Sequence, residues 1–410
     1  MFKFGGRKNY LPYTMHFNEN TRVKIPAILH LCRLGYSYLS LKESCWDEST
    51  NIFTDIFKES VQQINPELDK FNVQQVLDEV LLSLENEDLG RAFYEKLINR
   101  SGTKLIDFEN FANNSLHVVT ELPCRKDDEE FRPDITLLIN GMPLVFIEVK
   151  KPNNQDGILA EHKRIQTRFS NKKFRKFVNI TQLMVFSNNM EYDANSIQPI
   201  EGAFYATASY QKPIFNYFRE EDKFDLSKLL ADEDDKLETH VLQDTNCLSI
   251  KNAAEFLTNK NPDSPTHRIC TSLFQPERLA FMLQYGIAYV KTSTGLQKHI
   301  MRYPQLFATK AIETKLNEGI KKGIIWHTQG SGKTALAYYN VKYLTDYFQK
   351  KAVVPKFYFI VDRLDLLIQA GREFKARGLV VHEINSREAF AQDIKSTQVI
   401  HNHSGKSEIT

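Results

Sequence analysis

The stretch RPDITLLINGMPLVFIEVKK, Arg132 to Lys151, restricts the possible folds of this chain more than any other. Two apolar runs flank Asn140-Gly141, a dipeptide that favours two-residue hairpin turns. The runs read as strands of a sheet core, yet they carry Asp134, Glu148 and Lys150. Taking charges out of water is costly unless they are paired or bind a metal. The hairpin therefore has to answer two demands, packing and charge compensation.

Side-chain alternation puts Glu148 and Lys150 on one face of their strand. Whether Asp134 joins them depends on register. A two-residue loop pairs Ile139 with Met142 and sets Asp134 against Ile147, on the opposite face. A three-residue loop pairs Ile139 with Pro143 and sets Asp134 directly opposite Glu148, with Cβ atoms ~5 Å apart. Two opposed carboxylates repel, and a divalent cation resolves that. Mg²⁺ takes carboxylate oxygens and water, and phosphodiester hydrolysis uses such ions to activate water. Asp134, Glu148 and Lys150 thus make a candidate catalytic set, with Asp134 and Glu148 as metal ligands. That reading requires the odd loop, or a bulge of the same parity. The competing reading is an edge-strand ion pair of Glu148 with Lys150, and Asp134 capping a turn.

Around this hairpin the pattern is mixed α/β. Ile25, Ile28, Leu29 and Cys32 have helical spacing within residues 18–38, and Val73, Val76, Leu77, Val80, Leu81 and Leu84 repeat it. VVTEL, ITLLI, LVFIEV and, later, LMVFSN read as strands. Between them EHKRIQTRFSNKKFRKF carries Arg164, Arg168, Lys172 and Lys176 at intervals of four, which puts them on one basic helical face. Such a stripe fits DNA phosphates, and a solvated surface helix is the plainer alternative. Residues 1–218 form the first expected domain. Residues 219–265 are acidic and read as a linker or insertion.

From residue 266 a second α/β pattern begins. HTQGSGKT, His327 to Thr334, follows the apolar run Ile324-Ile325-Trp326, an expected strand, and precedes a helical pattern. This is the setting of a phosphate-binding loop. Gly330 and Gly332, with Ser331, let backbone N–H groups turn around a phosphate. Lys333 would reach the β- and γ-phosphates of ATP, and Thr334 would ligate its Mg²⁺. His327 stands where the pattern has its first glycine, and an ordinary Gly-rich turn is the other reading. A further strand is expected at KFYFIVDR. No acidic Asp-Glu pair of the kind a motor uses follows Thr334, so the chain reads as the N-terminal part of a longer protein.

The length of 410 residues fits two or three domains, and 42% apolar with 25% charged residues is ordinary for a soluble protein. A net charge of only +2 confines any nucleic-acid surface to local patches. Five scattered cysteines lack zinc spacing and suit a reducing, cytoplasmic setting. Neither a leader at MFKFGGRKNY nor a membrane-spanning run is evident.

The P-D-x₁₃-E-x-K spacing resembles the PD-(D/E)xK nuclease superfamily, and RYPQ, with Arg302 and Gln305, resembles the adenine-reading motif of superfamily 2 helicases. FIVDRLDLLIQ, with Asp362 and Arg363, resembles a later helicase motif. Together these motifs resemble the R, or motor and cleavage, subunit of type I restriction enzymes. The resemblance implies a PD-(D/E)xK-like mixed sheet flanked by helices, followed by an incomplete RecA-like parallel α/β domain. It also implies Mg²⁺-dependent cleavage of double-stranded DNA coupled to ATP-driven translocation, and methylation (M) and specificity (S) subunits as partners. From the family pattern Glu19 would join the metal site, and Gln166 would lie near the nuclease lysine.

Overall fold

The computed structural model describes residues 18–152, 155–192, 202–396 and 407–410, with the backbone alone of 155–160. The N-terminal stretch read for a leader lies outside the described residues. A short π-helical turn, Asn20–Lys24, runs into α1 (Ile25–Arg33), whose Pro26 suits a first turn with no intrahelical N–H partner. Ile25, Ile28 and Leu31 are fully buried, the helical face expected from their spacing. Helices α2 (Thr54–Ile64), α3 (Lys70–Ser83) and α4 (Arg91–Leu97) follow. The Asp69 carboxylate caps α3 by accepting from the Asn72 N–H.

The chain then lays down a mixed sheet. Its strands are β1 (Ser37–Tyr38), β2 (Leu116–Thr120), β5 (Ile135–Ile139), β6 (Met142–Val149), β7 (Leu183–Ser187), β8 (Ala203–Ala206) and β9 (Asn216–Tyr217), adjacent in that order. A side hairpin, β3 (Cys124–Lys126) and β4 (Glu129–Phe131), stands apart. β5 pairs antiparallel with β2 and β6, whereas β6 and β7 are parallel, joined through α5 (Gln155–Ser170) and α6 (Arg175–Ile180). Every residue of β6 is buried, as expected of a central strand covered on both faces. Phe146 packs with Ile165, Phe169 and Met184 under α5. Val145, Ile147 and Val185 belong to the larger core with Ile28 of α1 and Leu273.

The hairpin between β5 and β6 satisfies both demands of its sequence. Asn140 and Gly141 adopt positive φ (50° and 75°) in a two-residue turn that pairs Ile139 with Met142. The register then shifts. Leu138 pairs with Pro143 but Leu137 pairs with Val145, so Leu144 is an extra residue, a β-bulge. Ile135 therefore faces Ile147, and the same register extended by one residue sets Asp134 opposite Glu148.

The acidic residues 219–265 contribute helices Leu226–Leu229, Asp235–Asp244 and Ala254–Asn259, with Leu230, Val241, Leu242 and Phe256 buried in the large core. The Ala231 carbonyl accepts from the Arg33 guanidinium at 2.8 Å. Helix Pro265–Phe274 lies against the sheet, with the Thr266 and Ser187 hydroxyls 2.8 Å apart. Helix Pro276–Tyr285 and the hairpin Ile287–Thr292/Gly295–Ile300 lead to helices Tyr303–Asn317, Lys333–Gln349 and Leu364–Ala376.

Two expected strands do not form among the described residues. Ile324 and Trp326 are each 91% exposed, and residues 324–326 join no sheet among the described residues. Within KFYFIVDR, among the described residues, Phe357 and Phe359 find backbone partners on Thr410, and Arg363 accepts from the Leu367 N–H of the following helix. A β-strand needs neighbours to pair its N–H and C=O groups. The only parallel pairing described in this region is the short one of Val380–Val381 with Glu408–Ile409.

Candidate functional site

The bulged hairpin, the start of α1 and the inner face of α5 converge on one cluster of charges. Asp134 accepts a hydrogen bond from the Val149 N–H at 2.9 Å, which fixes its carboxylate against β6. The Lys150 ammonium lies 3.7 Å from Asp134, 3.2 Å from Glu19 and 3.9 Å from Glu161, and donates to the Val149 carbonyl at 2.9 Å. Glu148 is 3% exposed and accepts from the Arg168 guanidinium at 3.2 Å. The structure thus brings Asp134, Glu148, Lys150 and Glu19 together.

The electrostatics of the cluster follow from burial and crowding. Burial, reinforced by the Asp134 and Glu161 carboxylates, pushes the Glu148 carboxyl well above its usual range, against the pull of Arg168 and Lys150. Burial likewise raises Glu19, opposed by Lys150. For Lys150 burial acts downward, but Asp134, Glu19, Glu148 and Glu161 outweigh it and hold the amine above its ordinary value. Among the described residues no group of three or more His, Cys, Asp or Glu side chains is arranged to hold a metal ion by itself. An opposed pair such as Asp134 and Glu148 does suit Mg²⁺, which binds through one or two carboxylates and keeps several waters.

Two members of the cluster escape a reading of the sequence. Lys24 is 4% exposed, ion-pairs with Glu121 and lies 3.8 Å from Asp134. Glu161 is 2% exposed and sits one helical turn before Ile165 on the buried face of α5. A charged residue at an apolar-face position was the available signal for both.

The basic stripe is not a single helical face. α5 ends at Ser170, and a 3₁₀ turn, Lys172–Phe174, intervenes before α6, because Asn171 caps a new start by accepting from the Lys173 N–H. Spacing by four therefore does not align Arg164 and Arg168 with Lys172 and Lys176. Arg168 turns inward to Glu148 and Glu161, and Lys176 pairs with Glu85 at 2.6 Å. Arg164, Gln166 and Lys172 are exposed, Arg164 with a 3.2 Å contact to Glu161.

The phosphate-loop residues form a second candidate site. Gly330 (φ 76°) and Gly332 (φ 85°) take left-handed conformations ahead of helix Lys333–Gln349. Gln305 caps helix Tyr303–Asn317 by accepting from the Arg302 N–H at 2.9 Å, and its amide donates to the Gly332 carbonyl at 3.2 Å. A Cβ on Gly332 would lie 2.5 Å from that amide nitrogen, so the contact requires glycine. Arg302 donates to the Gly330 carbonyl at 3.2 Å. The Lys333 ammonium donates to the His327 and Thr328 carbonyls, both at 3.0 Å, and the Ser331 hydroxyl lies 3.2 Å from the His327 ring. Thr334 stands in the first turn of the helix. A cavity of about 620 Å³ opens beside Arg302, Gln305, Gly332, Tyr339 and Arg377. At the later motif Arg363 takes the helix N-cap position, with its guanidinium on Asp365 at 2.7 Å.

With these sites in place, comparison with known proteins is informative. Residues 16–196 match the family described as type I restriction enzyme R protein N terminus (HSDR_N). The chain is thus similar to type I restriction enzyme R proteins over most of its length. Residues 304–406 match the SWI2/SNF2 ATPase family, so the phosphate loop lies in a helicase-like part. The type I restriction enzyme HindI endonuclease subunit of Haemophilus influenzae is 25% identical over 350 residues, covering 78% of this chain and 28% of its own length. The MjaVIIP protein of Methanocaldococcus jannaschii, provisionally named a type I restriction enzyme endonuclease subunit, is 28% identical over 285 residues, 67% of this chain and 22% of its own length. A second protein of that organism, MjaIXP, similarly named, is 26% identical over 387 residues, with shares of 85% and 33%. The chain thus spans between 22% and 33% of the length of these relatives. No helix of the described residues is long and apolar enough to cross a membrane.

Proposed function

We propose that this chain is the nuclease and first motor segment of a type I restriction R subunit. In this reading residues 1–218 are a PD-(D/E)xK endonuclease domain, 219–265 an acidic insertion, and 266–410 the beginning of a RecA-like motor. The substrate is double-stranded DNA, and the partners are the methylation and specificity subunits. The observation that carries the reading is the bulge at Leu144, which brings Asp134 opposite Glu148 although the turn has two residues.

Asp134 and Glu148 would hold Mg²⁺, which, when bound, supplies charge neutralisation at the scissile phosphate and a more acidic water. Asp134 is oriented by the Val149 N–H, so its carboxylate needs no rearrangement. Lys150, kept protonated by four surrounding carboxylates, presents a cation to the nucleophilic water or to the charge developing on phosphate. Glu19 anchors Lys150 at 3.2 Å and stands beside the metal pair. Arg164, Gln166 and Lys172, exposed beyond the site, meet the DNA backbone, with Lys176 exchanging Glu85 for phosphate.

ATP binds at Gly330, Ser331, Gly332 and Lys333, with Gln305 and Arg302 at the base side and Thr334 on the nucleotide's Mg²⁺. Lys333 then exchanges the two loop carbonyls for phosphate oxygens. The test uses the full-length subunit assembled with its partners on unmethylated plasmid. Asp134→Ala should abolish cleavage and keep ATPase activity, and Lys333→Ala should abolish both. Undiminished cleavage by Asp134→Ala would refute the site.

A further inference from the structure

Glu161 and Arg168 are committed to the interior of the nuclease lobe, not to its surface. A carboxylate as buried as Glu161 requires partners. One of its oxygens accepts from Arg168 at 3.3 Å, the other from Arg164 at 3.2 Å. The same Arg168 nitrogen, Nη1, reaches Glu148 Oε1 at 3.2 Å, so a single guanidinium nitrogen bridges two buried carboxylates. The guanidinium also lies over the Phe131 ring at 4.8 Å, and Phe131 is held edge-on by Phe174 and Phe177. The cation–π contact and two charge-assisted hydrogen bonds leave Arg168 little freedom. Ile165 and Phe169, packed with Phe146 and Met184, fix the helix that carries both residues.

We infer that Glu161 and Arg168 are positioning residues for Glu148. Arg168 holds Oε1 and leaves Oε2 to the divalent cation shared with Asp134, and Glu161 holds Arg168 in place. Outer contacts of this kind set ligand orientation and metal affinity. The inference rests on the reading of Asp134 and Glu148 as a metal pair. It also removes Arg168 from the DNA-binding surface, because an arginine reaching for phosphate would leave two buried carboxylates without their bridge.

The test is Mn²⁺ binding to the 410-residue chain, followed by electron paramagnetic resonance of unbound Mn²⁺. Nucleotide is omitted, so that Thr334 has no phosphate-bound cation to hold. Charge alone predicts opposite effects: losing the Glu161 carboxylate weakens cation binding, and losing the Arg168 cation tightens it. Positioning predicts weakening in both, by about 10–100-fold for Glu161→Gln and for Arg168→Gln. The double variant should be no weaker than the worse single one, since the two act as a unit. It removes both charges together and so leaves no unpaired charge between them. Tighter binding by Arg168→Gln would make that residue a competitor of the cation and overturn the inference. Undiminished binding in both single variants, with binding abolished by Asp134→Ala, would overturn it while leaving the metal pair intact. Undiminished binding by Asp134→Ala, or none by the wild-type chain, would overturn the metal pair and the inference with it.

Discussion

Asp134, just before β5, falls in register with Glu148 of β6 because Leu144, an extra residue in β6, reverses the side-chain parity set by the Asn140-Gly141 turn. The turn is itself buried. Asn140 is fully covered, donating to the Leu105 carbonyl and the Asn114 side chain, both at 2.8 Å, and accepting from the Ser115 N–H at 2.9 Å. A Cβ on Gly141 would stand 2.5 Å from the Phe53 carbonyl oxygen, at a φ of 75° that L residues resist. Gly141→Ala should therefore cost at least ~1–3 kcal/mol from backbone strain. The expected outcome is a lower Tm together with weaker Mn²⁺ binding, since turn and register are one structure. An unchanged Tm would contradict the packing of the turn.

Glu148 carries a stability cost of its own. Its carboxyl is raised above the ordinary 4.5, by burial first and then by Asp134 and Glu161. The folded, metal-free protein thus holds this proton more tightly than the unfolded chain does. The associated stability is present at low pH and is lost as pH rises from about 4.5 through the raised pKa. Glu148→Gln in EDTA should melt several degrees above wild type at neutral pH, with the gap closing toward pH 4.5. The same variant should not cleave DNA. Thermal scans across pH check the first expectation, and plasmid nicking the second.

The sequence made β2, β5, β6 and β7 legible because apolar runs bounded by turn residues leave few alternatives, and the hairpin's charges restricted its register. The strands β1, β8 and β9 are too short to carry such a run. The bulge itself was not legible. Pro143-Leu144-Val145 carries no glycine or polar signal, and only the chemistry demanded an odd residue. Glu161 and Lys24 were missed because a charged residue on an apolar helix face is read as noise until its partners are known. The stripe of basic residues misled, since the cap at Asn171 restarts the helix. Likewise Ile324-Ile325-Trp326 has strand composition, but composition does not supply neighbours to pair with.

Lys333 is engaged with its own loop, donating to the His327 and Thr328 carbonyls. Nucleotide must displace both bonds, so Lys333→Ala should weaken ATP binding by at least tenfold, about 1.4 kcal/mol or more. Gln305→Ala should act differently. It frees the Gly332 carbonyl and the start of helix Tyr303–Asn317, and should reduce the preference for adenine over guanine nucleotides as well as affinity. Titration with fluorescent ATP and GTP analogues separates the two. Equal loss for both nucleotides in Gln305→Ala would assign that residue to loop support alone.

Lys298 lines the same cavity as Arg302, Gln305 and Gly332. It is 6% exposed and donates to the Thr181 carbonyl at 3.0 Å, with its ammonium 5.6 Å from the Tyr289 ring centre. Burial lowers its pKa from 10.5 to about 7. Below about pH 7 the amine is charged in both states, and the folded protein bears the full cost of burying it. Between about 7 and 10.5 the folded lysine is neutral while the unfolded one is still protonated, so unfolding takes up a proton and stability rises with pH. Lys298→Met removes the charge and keeps the apolar stem. It should stabilise the fold at pH 6–7, by roughly 1–4 kcal/mol as for other replaced buried charges. The advantage should shrink or reverse by about pH 10, where only the lost hydrogen bond to Thr181 remains. Denaturation of both proteins from pH 6 to pH 10 measures the difference, and a gap independent of pH would mean that Lys298 is solvated in the fold.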